Sequence, residues 1–267
     1  MSLVDALARL DVRIPQFEPG HVWLAGAGPG HLAGLTLEVV AALGLADAIV
    51  YDALVDAAAL KASPQAEAHF VGKRAGQPSA TQSFINELIV RLAQENKRVL
   101  RLKGGDPNVF GRGGEEASAL SAAGIPFRFL PGVTSAFGAL ASAGIPATLR
   151  GVNKAIILAT GHGIDDTDHL DWASLARTGQ PIVVYMGMSN LPVIVEGLRR
   201  GGLAEATPVA VIQGATTAKE RLLVSDLARV DADVRAAGIV PPALIVVGEI
   251  VAHRHALGSL IREAILP

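Results

Sequence analysis

Short apolar runs alternate with amphipathic stretches along most of this chain. HVWLAG, at 21–26, has a strand pattern and leads into the glycine cluster GAGPG. TLEVVAALGLA then reads as a helix, with Thr36 as N-cap and Leu37, Val40, Ala41 and Leu45 facing inward. AIVYDALV gives a second strand with its exit loop, and AHFVGK a third. A helix is predicted over about 81–95, followed by the strand RVLRL and the loop KGGDPNVFGRGG. A helix from about Glu115 to Ala123 and the strand FRFL complete this half. The second half supplies KAIILATGH, PIVVYMG, PVAVIQG, ERLLVS and ALIVVGE. Strand and helix alternate and the strands are apolar on both faces. The pattern therefore predicts an α/β protein with mostly parallel sheets between helices. ERLLVS is short and follows a polar stretch, which suits an antiparallel strand in a mixed sheet. GIPATLRGVNK reads as the crossing between halves, giving an N-terminal arm over 1–20, a domain over 21–145 and a second over 146–267. Within the arm, Leu3, Leu7 and Leu10 share helical spacing until Pro15 and Pro19 stop any helix. A packed or dimer-contacting arm and a poorly ordered one both fit.

Composition narrows the chemistry. Half of the 267 residues are hydrophobic, enough for two packed domains or one large one. Lys and Arg number 23 against 25 acids, and no basic tract marks a nucleic-acid surface. The absence of cysteine excludes disulfides, thiolate zinc sites, iron–sulfur clusters and cysteine nucleophiles. The N-terminus does not read as a signal peptide, and no apolar run is long enough to cross a bilayer, so a cytoplasmic location is the default expectation.

The candidate chemistry sits where glycines follow strands. GAGPG at 26–30 suits close approach of backbone to a ligand, although an ordinary tight turn needs the same residues. It lacks the dinucleotide fingerprint, because His31 and Ala33 occupy the positions that would need glycine. KGGDPNVFGRGGEE at 103–116 holds five glycines and five charged residues. Gly104 and Gly105 can present backbone groups at close range, Asp106 can accept from a ribose or an amine, and Arg112 can pair with a carboxylate. The plainer alternative has Asp106 capping the next turn and Arg112 paired with Glu115 or Glu116. Thr134 and Ser135 in PGVTS can cap a helix whose free N–H groups bind polar ligand atoms. Met186 in YMGM can touch an adenine or a sulfonium methyl, or simply pack. Asp52 and Lys73 follow short strands, where an acid and an amine can exchange protons with a substrate; a loop cap and a surface lysine are the alternatives. His162, Asp165, Asp166, Asp168 and His169 crowd one polar loop, where capping and solvation account for them, and no metal is expected.

These motifs occur together in a known order. GAGPG, VYDALV, FVGKRAG, VLRLKGGDPNVFGRGGEE, PGVTS, GIPATLR, TGH, YMG and PALIVVGE make the chain resemble the uroporphyrinogen-III C-methyltransferases, within the tetrapyrrole methyltransferases, over about residues 21–252. The resemblance implies two α/β domains with S-adenosylmethionine in the cleft between them, S-adenosylhomocysteine as its product, and a homodimer. It implies donor contacts at Pro29, Gly104, Gly105, Asp106, Val109, Thr134, Ser135, Met186, Gly214 and Ala243. Asp52 matches the acid proposed to take a proton, Lys73 the lysine proposed to give one, and Arg150 an arginine beside the tetrapyrrole. Arg74, Arg112 and Lys154 are further counter-charges for a substrate with eight carboxylates. The implied reaction is methylation of uroporphyrinogen III at C2 and then C7, through precorrin-1 to precorrin-2, on the way to cobalamin or sirohaem. Two departures stand out: His31 replaces the usual aspartate after GPG, and Leu149 replaces the histidine of Thr-His-Arg. Within the 267 residues nothing matches the oxidation and iron-insertion module of fused sirohaem synthases. A methylase of a later corrinoid intermediate, or a donor- or tetrapyrrole-binding protein without turnover, are the other readings.

Overall fold

The computed structural model describes residues 3–10, 13–72, 80–162 and 170–254. These divide into two compact units. The first takes residues up to Ala27 and Leu32–Gly132; the second takes Gly28–His31 and the chain from Val133 onward. The division at 145/146 expected from the sequence therefore moves to Gly132/Val133.

The first unit is a wholly parallel sheet of β1 (Val22–Gly26), β2 (Ala48–Tyr51), β3 (Glu67–Phe70), β4 (Val99–Lys103) and β5 (Phe127–Leu130), in the order β3-β2-β4-β1-β5. Three helices serve it: α2 (Leu37–Leu45), α3 (Gln82–Gln94) and α4 (Gly113–Ala122). Each face of the sheet has its own core. Trp23, Ala25, Ile49, Leu100 and Leu102 pack with Val39, Ala42 and Leu43 of α2. Val22, Leu24, Val50 and Val99 pack with Ile85, Leu88, Ile89 and Leu92 of α3 and Ala117 and Leu120 of α4. The predicted N-cap of α2 is present, with the Thr36 hydroxyl accepting from the Val39 N–H at 3.3 Å. The inward face is not the predicted one. Val39, Ala42 and Leu43 are buried, whereas Leu37, Val40 and Leu45 are exposed. This helix is apolar nearly all round, so its periodicity could not choose a face.

The arm has a short helix, α1 (Leu3–Ala8), but Leu7 and Leu10 are exposed rather than packed. Its anchor lies further on. Phe17 is buried and stacks on Trp23, with ring centroids 4.1 Å apart and planes inclined by 11°. Phe17→Ala is expected to cost about 3 kcal/mol, through lost apolar burial and a cavity over the first sheet. Urea unfolding checks this; an unchanged midpoint would mean that the stack contributes nothing.

The second unit contains α5 (Ser135–Ser142), β6 (Ile157–Thr160), α6 (Trp172–Arg177), β7 (Ile182–Tyr185), α7 (Leu191–Arg200), β8 (Pro208–Gln213), β9 (Arg221–Asp226), α8 (Val230–Ala237) and β10 (Ala243–Val247). Its sheet runs β6-β7-β10-β8-β9. Only β6 and β7 are parallel; the β7–β10, β10–β8 and β8–β9 pairs are antiparallel. The antiparallel setting expected for ERLLVS is therefore present in β9. Parallel pairing predominates in the protein as a whole because the first sheet is entirely parallel. Ile182, Val184, Val209, Val211, Ile245 and Val247 form one core with Trp172, Ile194, Leu198 and Val234 of the helices. Helix α5 packs along β10, which explains why the chain changes unit at Val133. No described helix is long and apolar enough to cross a membrane.

Candidate active site

Parallel pairing puts the carboxyl ends of all five strands of the first sheet on one edge, the usual place for a ligand in such sheets. The ends of β1, β4 and β5 approach so closely that only glycine fits. A Cβ on Gly26 would stand 2.5 Å from the Gly105 carbonyl oxygen and 2.6 Å from the Gly132 nitrogen. Gly105 also has φ +68°, the left-handed region that favours glycine. Gly104 is held against Leu54, since a Cβ there would lie 2.7 Å from the Leu54 Cβ. Asp106 is tied to this turn by both carboxylate oxygens: Oδ1 accepts from the Asn108 N–H at 2.8 Å and Oδ2 from the Gly132 N–H at 3.1 Å. The capping role considered for it is thus present, and each oxygen keeps further acceptor capacity. Val109, in the same loop, is half-buried.

Asp52 follows β2 on the same edge. Its Oδ1 accepts from the Leu54 N–H at 3.0 Å, and its Oδ2 lies 3.7 Å from an Arg101 Nη. Behind it is a buried ionic group that the residue pattern does not announce. Glu116 on α4 is fully buried; its Oε1 accepts from the Arg101 Nε at 2.9 Å and the Lys103 Nζ at 2.8 Å. Burial, with Arg101 alongside, pushes the Lys103 ammonium below the usual lysine range, while Glu116 and Asp52 pull it back up. The available signal was Arg101 and Lys103 two apart in an apolar strand, which places both on one face. Arg112, by contrast, forks onto Glu115 with two 2.7 Å bonds at the surface, the plainer of its two expected roles. Lys73 and Arg74 lie outside the described residues, as do residues 163–169 of the histidine–aspartate loop.

In the second unit, register gathers Met186, Gly214 and Ala243 along one sheet edge. β10 is antiparallel to both neighbours: Ile245 faces Val184 and Ala243 faces Gln213. The start of β10 at Ala243 thus lies beside the end of β7, before Met186, and the end of β8, before Gly214. β6, parallel to β7, ends on this edge at Thr160. Met186 has φ +52° and is 52% exposed, so plain packing does not explain it. The Tyr185 hydroxyl lies 2.6 Å from the buried Thr134 Oγ1 and accepts from the Ala136 N–H at 3.1 Å. Thr134 occupies the N-cap position of α5, yet its hydroxyl makes no cap bond there; Tyr185 serves one of the free N–H groups instead. Ser135 opens the helix. Pro29 packs on the same helix, at Gly138, where a Cβ would lie 2.5 Å from the Pro29 Cγ. The turn that carries Leu149 and Arg150 is braced by buried Asn153, which accepts from the Leu149 N–H at 2.8 Å and donates to the Ala147 and Ala155 carbonyls. Arg150 and Lys154 are exposed, and Arg150 has no ion pair with another described residue.

Residues 21–231 match the family model for tetrapyrrole (corrin/porphyrin) methylases. The chain belongs to this family. This methylase is 49% identical over 247 residues to a uroporphyrinogen-III C-methyltransferase of a Sinorhizobium species, covering 91% of this chain and 88% of that one. It is 47% identical over 239 residues to the siroheme synthase of Azotobacter vinelandii, covering 89% of this chain but 52% of that protein. The methylase thus spans about half the length of the siroheme synthases it matches. Among solved structures, a Thermus thermophilus uroporphyrin-III C-methyltransferase in complex with S-adenosylhomocysteine superposes with a TM-score of 0.74 at 37% identity, over 87% of this chain and 99% of that one. A cobalt precorrin-4 methyltransferase gives 0.79 at 26% identity, over 89% and 98%.

Proposed function

We propose that this methylase transfers methyl groups from S-adenosylmethionine to C2 and then C7 of uroporphyrinogen III, forming precorrin-2 through precorrin-1. The observation that carries the reading is the alignment of Met186, Gly214 and Ala243 along one sheet edge, with Thr134 bonded to the tyrosine that precedes Met186. The glycine contacts in the first unit support it, because close-packed backbone and a carboxylate with spare acceptor capacity suit the ribose and amine of the donor. When bound, S-adenosylmethionine supplies an electrophilic methyl that a pyrrole carbon takes with its own electron pair as the S–C bond breaks toward sulfur, leaving S-adenosylhomocysteine. The chain's task is to hold ring carbon and methyl in line at about 3 Å. Methylation leaves a cationic ring, and Asp52 accepts the proton whose loss restores neutrality. Lys73 is the proton donor of this reading, and a proton it gives to the ring is matched by a second one lost from it, so each transfer releases one proton net. Arg150, Arg74 and Lys154 face the carboxylates, and Arg112 joins them on leaving Glu115. Two copies assemble about a two-fold axis. Light scattering is expected to report a dimer; monomer alone at working concentration contradicts this.

S-adenosylhomocysteine is expected to bind at about micromolar strength or better by calorimetry, on the order of −8 kcal/mol. No heat up to millimolar ligand would overturn the donor assignment. Asp106→Ala should weaken binding about tenfold or more, since a ribose or amine donor loses its acceptor. Unchanged affinity would leave Asp106 with only its turn-capping role. His31 and Leu149 favour one other reading, a related methylase of a later corrinoid intermediate, which product masses and substrate competition distinguish.

A further inference from the structure

We propose that Arg101, held by Glu116, is a positioning residue that fixes the Asp52 carboxylate for proton transfer. This deepens the methyltransferase reading and rests on it. Each nitrogen of the Arg101 guanidinium has its own direction. Nε donates to Glu116 Oε1 at 2.9 Å, Nη1 donates to the Leu102 and Val50 carbonyls at 3.1 and 3.3 Å, and Nη2 is left toward Asp52 Oδ2 at 3.7 Å. A planar fork pinned at Nε and Nη1 cannot turn Nη2 elsewhere without breaking buried bonds. Asp52 is thereby held from two sides, through Oδ2 by this charge and through Oδ1 by the Leu54 N–H.

Glu116 has no other evident task. It is fully buried, and among the described residues all its donors converge on Oε1 and none reaches Oε2. Gln82 of α3 adds only a long 3.4 Å contact to the same oxygen. Replacing such a group with apolar side chains often leaves stability unchanged or raises it, so stability is weak grounds for its presence. Charge balance supplies better grounds. Two buried cations, Arg101 and Lys103, face one buried anion, and Asp52, at the edge of the group, is the nearby second negative charge.

The test compares wild type with Glu116→Gln, Arg101→Lys, Asp52→Asn and the Arg101→Lys/Asp52→Asn double variant. Arg101→Lys keeps the charge and loses the fork, so it decides the matter even where Glu116→Gln does not fold. Amide hydrogen exchange at Leu54 reports directly on the Asp52 Oδ1 bond. It is expected to speed up about fivefold or more in both single variants of the clamp, while the Val39 amide at the α2 cap keeps its rate. With donor and uroporphyrinogen III, Arg101→Lys should lower kcat about tenfold or more with the acceptor KM within about threefold, and add little to Asp52→Asn in the double variant. Unchanged exchange at Leu54, or an Arg101→Lys loss that multiplies in full with Asp52→Asn, would overturn the proposal. Absence of turnover in wild type would sink the methyltransferase reading alone, since Leu54 exchange still decides whether Arg101 and Glu116 hold Asp52.

Discussion

Arg150→Ala is expected to reduce kcat/KM for uroporphyrinogen III by about thirty- to several-thousand-fold, corresponding to about 2–5 kcal/mol for a charged hydrogen bond lost from a closed interface. Arg150 is exposed, has no ion pair with another described residue, and sits in a turn that Asn153 holds with three hydrogen bonds. An arginine kept ready in this way can grip one substrate carboxylate bidentately. Thioether affinity should change little, because the residue faces the acceptor in the proposed arrangement. Arg150→Lys should recover only part of the loss, since the fork is gone. Leu149→His is its companion. The Leu149 side chain is half-buried, while its N–H is already engaged by Asn153. Histidine here should improve acceptor affinity or rate if leucine merely replaced a substrate contact, and should lower the melting temperature if the turn has repacked around leucine. Wild-type turnover and acceptor affinity in Arg150→Ala would remove Arg150 from the substrate site.

Gly132→Ala should destabilise the first unit by about 3 kcal/mol or more. The added Cβ would collide with the Gly105 carbonyl oxygen and stand 2.8 Å from both the C and Cα atoms of Gly26. These are backbone atoms at the ends of two neighbouring strands, so no side chain can swing aside to make room. The same shift would displace the Gly132 N–H from Asp106 Oδ2 and loosen the KGGDP turn, so thioether affinity should fall as well. Gly44→Ala is the control. A Cβ there meets nothing within 4 Å inside α2, and alanine should stabilise by about 0.5–1 kcal/mol. Urea unfolding of both variants checks the contrast; equal effects would mean that the glycine junction is not tight.

Much of this architecture was legible because local chemistry announced it. Thr36 caps the helix it precedes, and glycine clusters close the strands that carry them. Strand direction in the second unit was legible only at β9. Ile182, Val183 and Val184 are apolar toward both faces whether their neighbours run with them or against them, so pairing with β10 leaves no mark on the pattern. The inward face of α2 was hidden for a similar reason, since its apolar residues surround the helix. The boundary after Gly132 depends on α5 packing along β10, a relation between segments a hundred residues apart. In the site, the sequence draws attention to residues that offer chemistry by type, and Arg101, Glu116, Tyr185 and Asn153 do not stand out in it. Their roles come from burial and from partners distant in the chain. Arg101 and Lys103 two apart in a strand, with acids following the glycine loop, were the one visible hint of the ionic group.

Methyl transfer to a reduced tetrapyrrole is tested by one anaerobic incubation of the protein with S-adenosylmethionine and uroporphyrinogen III, read by mass spectrometry over time. A singly methylated species that rises and gives way to a doubly methylated product, with two thioethers released for each tetrapyrrole consumed, is the predicted result. Unmodified uroporphyrinogen III, recovered from protein that binds the thioether tightly, would contradict it.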